Sequence, residues 1–271
     1  MAATSGGAFR EGSGYARPVS DRPLLLLSND DGVAAKGLRA LHDALAEIAD
    51  VVVVAPLTEQ SAKSHSLTLA HPLRHRVVDG FHAIDGTPAD CIYVALYREQ
   101  FLPRRPDLVV SGINHGYNLG VDVYYSGTVA AAREGALRGL PAMAFSCGPK
   151  GSFTAGAAVA RDLVQRFLST PRPEGRPPLL SVNFPAGREQ YEGIKVTRIG
   201  RRTYDEAVVL RHDPRGHEYF WVGGPNAYHA REDGTDTTAV DDGFVSITPL
   251  ALEPTAQDHF SLAALIAGSS T

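Results

Sequence analysis

Two adjacent carboxylates, Asp30 and Asp31, stand directly after a run of four leucines, at the end of the polar tetrad Ser28-Asn29-Asp30-Asp31. Neighbouring carboxylates repel each other unless a cation lies between or beside them. Two more oxygen-bearing residues follow later apolar runs: Ser61 in Thr58-Glu59-Gln60-Ser61, and Asn114 at the end of Ser111-Gly112-Ile113-Asn114. Donors of this kind suit a hard divalent ion, Mg²⁺ or Mn²⁺, that keeps several waters. Taken alone, Asp30-Asp31-Gly32 reads equally well as a polar turn ahead of a helix; three successive strand ends carrying oxygen donors favour a metal.

A second group follows, Gly116-Tyr117-Asn118-Leu119-Gly120 and then Tyr125-Ser126-Gly127-Thr128, just ahead of a helical stretch from Val129 to Leu140. Glycines let backbone approach a ligand closely, and the free amides of a helix N-terminus favour an anion. Asn118, Ser126, Gly127 and Thr128 are therefore candidates for holding phosphate oxygens, although Ser126 or Thr128 alone is also an ordinary helix cap. His65 and His115 lie close to these segments and read either as substrate-pocket residues or as solvated loop histidines.

Other chemistries fit less well. Gly32 to Gly37 has the glycine spacing of a P-loop, but Leu38-Arg39 replace the Lys-Ser/Thr that would cradle a triphosphate. No Gly-x-Gly-x-x-Gly follows the first apolar run, which argues against a dinucleotide site. The ten histidines show no metal-binding spacing.

The elements that must position these residues are legible as short apolar runs alternating with helical periodicity. Leu24 to Leu27 reads as a buried strand, followed by a helix with Leu38, Leu41, Leu45 and Ile48 on one face. Val51 to Ala55 is a second strand, stopped by Pro56; Asp107 to Val110, Pro141 to Ser146 and Leu179 to Asn183 are others. Gly86-Thr87-Pro88-Ala89-Asp90 reads as a helix start, with Thr87 as cap and Pro88 in the first turn. Continuous apolar strands separated by amphipathic helices predict a doubly wound, mostly parallel, Rossmann-like α/β sheet covered on both faces, over residues 23–193. In such sheets ligands bind at the carboxyl ends of the strands. After Gly193, Val196 to Ile199, Tyr219 to Val222 and Phe244 to Ile247 alternate like antiparallel strands, and Leu262 to Ile266 closes the chain as a short helix. Residues 194–271 thus read as a β-rich extension serving oligomerisation, and residues 1–22, rich in Gly, Ser and Ala, as a disordered tail without a signal-peptide core.

The chain has 271 residues, 44% of them hydrophobic, and a net charge of -4, so nothing in bulk draws it to duplex nucleic acid or to anionic membrane. No apolar stretch is long enough to span a bilayer. Its two cysteines, Cys91 and Cys147, sit in apolar runs without partners, as in a reduced cytoplasmic protein.

The ordered set Leu26-Leu27-Ser28-Asn29-Asp30-Asp31-Gly32, Val53-Val54-Ala55-Pro56, Glu59-Gln60-Ser61 with Ser66-Leu67-Thr68, and Gly86 to Cys91 resembles the SurE family of stationary-phase survival proteins. Val110 to Asn114, Asn118 to Gly120, Tyr125 to Ala132 and Val245 to Leu250 extend the resemblance over nearly the whole chain. It implies a cytoplasmic, metal-dependent 5′-nucleotidase acting on nucleoside monophosphates, with 3′-nucleotidase and polyphosphate activity in relatives. It also implies one divalent ion per subunit on Asp30, Asp31, Ser61 and Asn114, with Asp30 and Asp31 catalytic. Ala62 stands where many relatives have Gly, which bears on substrate preference. Two alternatives use the same residues: an aspartyl-phosphate phosphatase with Asp30 as nucleophile, and a metal- and nucleotide-binding sensor without turnover. The contiguity of Asp30 and Asp31 speaks against the first. Aromatic residues between Thr203 and Phe244, Trp221 among them, together with the resemblance, predict a homodimer, or dimers paired into tetramers.

Overall fold

Leucines at four consecutive positions cannot alternate between core and water, and the computed structural model shows why they need not. In β1 (Leu24–Ser28) every side chain is buried. Leu25 and Leu27 pack into one apolar cluster and Leu24 and Leu26 into another on the opposite face of the sheet. Each buried leucine is worth roughly 1.5–3 kcal/mol relative to exposure. The structure describes residues 21–171, 175–205, 208–223 and 226–268; of the tail expected over 1–22, residues 1–20 lie outside these.

In chain order β1 is followed by α1 (Lys36–Ala46), β2 (Asp50–Pro56), the hairpin of β3 (His75–Val78) and β4 (Phe81–Ile84), α2 (Pro88–Tyr97), β5 (Leu108–His115) and α3 (Asp122–Tyr125). Then come α4 (Gly127–Leu137), β6 (Ala142–Cys147), α5 (Phe153–Ser169) and β7 (Leu179–Phe184). The last part holds β8 (Ile194–Val196), β9 (Arg202–Tyr204), β10 (Val208–His212), β11 (Glu218–Val222), β12 (Ala227–His229), α6 (Asp236–Asp241), β13 (Val245–Pro249) and α7 (Phe260–Ile266).

Nine strands form one sheet in the order β3-β4-β2-β1-β5-β6-β7-β13-β8. From β4 to β7 every neighbouring pair is parallel. The α/β fold expected from the sequence is the fold observed. Leu38, Leu41 and Leu45 of α1 share a cluster with Leu163 and Val164 of α5, while Ile92 of α2 shares the opposite cluster with Val129 and Ala132 of α4. The chain leaves β1 toward β2 on one side and returns on the other as β5. The order of strands therefore reverses between β1 and β5, which opens a crevice at their carboxyl ends.

Several local expectations need correction. Pro56 ends β2 from inside, in register with Ile84, because a last residue can give up its N–H. Ile48 lies past the end of α1. The segments around Val196 and Phe244 do not form a separate antiparallel unit. Strand β13 adds to β7 antiparallel, and β8 then pairs with β13 in parallel, so both extend the main sheet. Strand β8 lies at the edge and β13 between it and β7, so the two close off the main sheet rather than build a second one. Among the described residues, the strand expected over Tyr219 to Val222 forms as β11 and pairs antiparallel with β10, and β9 pairs antiparallel with β12, both outside the main sheet. The start of α2 is as read, with Thr87 the cap and Pro88 in the first turn; Thr87 and Asp90 in addition bond each other's backbone N–H.

Candidate functional site

Asp30 and Asp31 follow β1 and so stand at the mouth of the crevice. Asp30 is 4% exposed, and its carboxylate accepts from the Thr128 hydroxyl and backbone N–H, in the first turn of α4. Its main-chain carbonyl accepts from the Gln60 N–H at 2.8 Å, which brings the Thr58 to Ser61 segment alongside. Asp31 is half-buried, and its carboxylate accepts from the His115 backbone N–H at 2.9 Å, next to Asn114 at the end of β5. The segments that carry Ser61 and Asn114 are thus each tied to the aspartate pair through a neighbouring main-chain N–H.

A shift in register between Ser111 and Asn114, as β5 passes β6, re-aims the end of that strand. Gly112 makes it sterically possible: its φ is +126°, and a Cβ there would lie 2.3 Å from the Phe145 carbonyl oxygen. Asn114 donates its side-chain NH₂ to the Gly116 carbonyl at 3.0 Å, and no donor among the described residues reaches its side-chain oxygen. Ser61 is exposed, and its hydroxyl donates to Glu59 at 2.8 Å.

The electrostatics of the pair are unusual. Burial, reinforced by the neighbouring Asp31, raises the Asp30 pKa from 3.8 to about 6 despite the hydrogen bonds from Thr128. Burial also raises Asp31, and Glu59 adds to the effect, whereas the N–H of His115 works against it. Among the described residues no arginine or lysine pairs with either carboxylate. Beside them the amide oxygen of Asn29 is fully buried without a hydrogen-bond partner. Two uncompensated carboxylates, a hydroxyl, a free amide oxygen and an orphaned buried acceptor fit a hard divalent cation.

The residues expected to hold phosphate lie on the same side but already carry structural duties. Ser126 caps α4, accepting the Val129 N–H at 3.0 Å. Gly127 is where the helix meets Asp30: a Cβ there would lie 2.8 Å from the Asp30 Cβ and 3.1 Å from Pro88 Cγ, so only glycine fits without displacing the carboxylate. Thr128 is engaged with Asp30. Asn118 is buried; its side-chain amide donates to Ser146 at 2.7 Å, and its main chain exchanges bonds with the Asn183 amide at 2.9 and 3.2 Å.

A family model described as Survival protein SurE matches residues 25–206. The chain belongs to the SurE family. A protein named 5′-nucleotidase SurE from Sorangium cellulosum (strain So ce56) is 54% identical over 250 residues, which is 91% of this chain and 96% of the relative. One of the same name from Vibrio cholerae serotype O1 is 47% identical over 236 residues, 86% of this chain and 93% of the relative. Among solved structures, the SurE protein from Aquifex aeolicus superposes with a TM-score of 0.77 at 42% identity, covering 90% of this chain and 100% of that one.

Within this SurE chain, sequence reasoning missed three contributors to the site. Glu59, exposed and bonded by Ser61, adds negative potential that raises the Asp31 pKa; adjacent as it is to Gln60-Ser61, its charge was a usable signal. The backbone N–H of His115 and the Asp30 partnership of Thr128 carry no side-chain signature, since each depends on how β5 and α4 meet β1. His65, which the sequence left as a pocket residue or a solvated loop histidine, is partly buried and bonded to Glu134 at 2.7 Å.

Proposed function

We propose that this chain hydrolyses nucleoside 5′-monophosphates to nucleoside and phosphate with the help of one divalent ion, Mg²⁺ or Mn²⁺, per subunit. Relatives named 5′-nucleotidase SurE match nearly the whole chain at 47–54% identity, and at that similarity the chain is an enzyme of the same kind, a phosphoric monoester hydrolase. The observation that carries the metal dependence is the uncompensated pair Asp30 and Asp31 at the point where the strand order reverses. Nucleoside 3′-monophosphates and short polyphosphate, which present the same phosphoryl group, are secondary substrates.

Asp30, Asp31, Ser61 and Asn114 would hold the ion. When bound, such an ion supplies Lewis-acid charge against the phosphoryl oxygens and acidifies water. Asp30, fixed by Thr128, and Asp31, fixed by the His115 N–H, keep their oxygens in place without reorganisation; one of the two orients the attacking water or takes its proton. The Ser126 hydroxyl and the Gly127 amide would meet the phosphate at the positive end of α4, with Thr128 beside them holding Asp30 and Asn118 completing the cradle. Water attacks phosphorus directly, in line with the departing nucleoside oxygen, and Asp30 serves as ligand rather than nucleophile. The measurement that tests this reading is phosphate release from a panel of 5′- and 3′-nucleotides and polyphosphate with Mg²⁺ or Mn²⁺. The 5′-nucleotides should turn over fastest; nucleotide binding without phosphate release would leave the protein a sensor.

The site lies in a cytoplasmic protein that works as a homodimer, with tetramers formed by pairing. No described helix is long and apolar enough to cross a membrane. The support for assembly is the hairpin of β10 and β11, which is apolar on both faces. Val208, Leu210, Phe220 and Val222 lie on one face and Val209, Trp221 and Tyr219 on the other, all exposed, with Trp221 at 64%. Helix α7 exposes Phe260, Leu262, Leu265 and Ile266 as well. Such surface on a small hairpin is characteristic of an interface. Light scattering at low micromolar concentration should give at least twice the 28.9 kDa chain mass, and a fully active monomer would defeat the assignment.

A further inference from the structure

Downstream of Ser61 the chain does not return at once to the sheet but is laid across the starts of α2 and α4, tied at every other residue. The Ser64 hydroxyl and N–H donate to the carbonyls of Tyr124 and Tyr125 at 2.6 and 2.9 Å. Thr87 donates its hydroxyl to the Ser66 carbonyl at 2.7 Å, and Thr68 gives its N–H and hydroxyl to Asp90 at 2.9 and 2.6 Å. Between these ties His65 Nε2 lies 2.7 Å from Glu134 Oε2. Ala62 and Ser64, neither of them glycine, are held at φ of 57° and 55°, a conformation that persists only where the surroundings impose it.

Glu134 is the feature that packing alone does not explain. Its side chain is 2% exposed in the middle of α4, where the other buried residues from Val129 to Ala136 are small and apolar. Burial works to raise its pKa, yet hydrogen bonds from His65 and from Arg138 Nε, the latter at 2.7 Å, hold it below the ordinary value. A buried, ionised carboxylate carries a desolvation penalty of several kcal/mol that its partners must offset. One partner is a neighbour on its own helix; the other is a loop histidine far away in the chain. Six positions earlier on the same helix, Thr128 holds Asp30. Helix α4 therefore grips the loop that carries Ser61 with one residue and Asp30 with another, and a helix is a spacer of fixed length.

We propose that Glu134 and His65 are positioning residues that use α4 as a rigid spacer to fix Ser61 against Asp30, and so set the affinity for the divalent ion. This rests on Ser61 being a metal ligand, as proposed above. The test is Mn²⁺ binding to the full chain, read from the electron paramagnetic resonance of free Mn²⁺, in a double-mutant cycle of His65→Ala and Ser61→Ala. His65 lies in a loop outside the apolar core and Arg138 still pairs with Glu134 when it is replaced, and a melting curve of each variant checks that the fold is kept. His65→Ala should weaken Mn²⁺ binding about tenfold, in the range seen for residues that orient metal ligands. Adding it to Ser61→Ala should cost nothing further, because the position it protects no longer carries a ligand. His65→Gln, whose amide can donate to Glu134, should recover most of the affinity. Losses that add in the double variant, or His65→Ala binding within twofold of wild type, would overturn the proposal while leaving Ser61 a ligand. An unaffected Ser61→Ala would overturn the ligand assignment and this proposal together.

Discussion

Asp30→Asn should lower phosphate release by at least about 100-fold while making the metal-free protein more stable at pH 8. The loss follows from removing a charge that anchors the ion and preorganises the site; losing one electrostatic stabiliser of this kind costs about 10²–10³ in rate. The gain follows from linkage. The Asp30 pKa is raised on folding, from 3.8 to about 6, so the folded state prefers the protonated acid. Stability from that preference is fully present below 3.8 and is lost as pH rises through about 6, amounting to roughly 3 kcal/mol at most. An asparagine keeps an oxygen for Thr128 and has no charge to desolvate. The difference in melting temperature between variant and wild type, both freed of metal, should therefore be small at pH 4 and grow toward pH 8. A variant that retains near-normal turnover at saturating Mn²⁺ would remove Asp30 from the site. A melting difference that does not change with pH would mean that the carboxylate is solvated in the folded protein.

Chelation should abolish activity, and Mg²⁺ or Mn²⁺ should restore it. Every proposed ligand is a hard oxygen, and the contribution asked of the ion is several kcal/mol of transition-state charge stabilisation, or about 10³ in rate. The same ion should raise the melting temperature, since a ligand at 100 times its Kd adds about 2.7 kcal/mol to folding stability. That increment should be larger at pH 8 than at pH 5, where the ion must displace a proton from Asp30. Asp31→Asn should weaken the increment, because His115 would still hold the side chain in place through its N–H while the charge is gone. Full turnover in chelator would sink the metal mechanism outright.

The central sheet was readable because each core strand is a continuous apolar run and each is bounded by a polar segment or a proline. The same boundaries displayed Asp30, Asp31, Ser61 and Asn114. What could not be read was pairing. The strand expected over Val196 to Ile199 forms instead over Ile194 to Val196, and nothing local tells whether its neighbour runs parallel or antiparallel; that is decided by β13, about fifty residues later. The short strands β3 and β4 escaped notice because β3 is largely exposed and carries no apolar run, although Asp79-Gly80 between them is a hairpin signal. Around the site, Ser126 showed its helix-capping pattern in sequence. The grip of Thr128 on Asp30 joins residues 98 apart and left no local trace.

Because the parallel strands from β4 to β7 all point the same way, every segment that reaches the crevice leaves the sheet by one edge, and every return loop crosses the other. The turns from Glu47 to Ala49 and from Arg138 to Pro141 belong to that opposite edge and carry none of the proposed ligands. The two edges are therefore unequal as places to open the chain. New termini, affinity tags or inserted reporter domains at the turn around Gly139 would leave the crevice undisturbed, whereas the same insertion among residues 58–68 would sever the ties that hold Ser61.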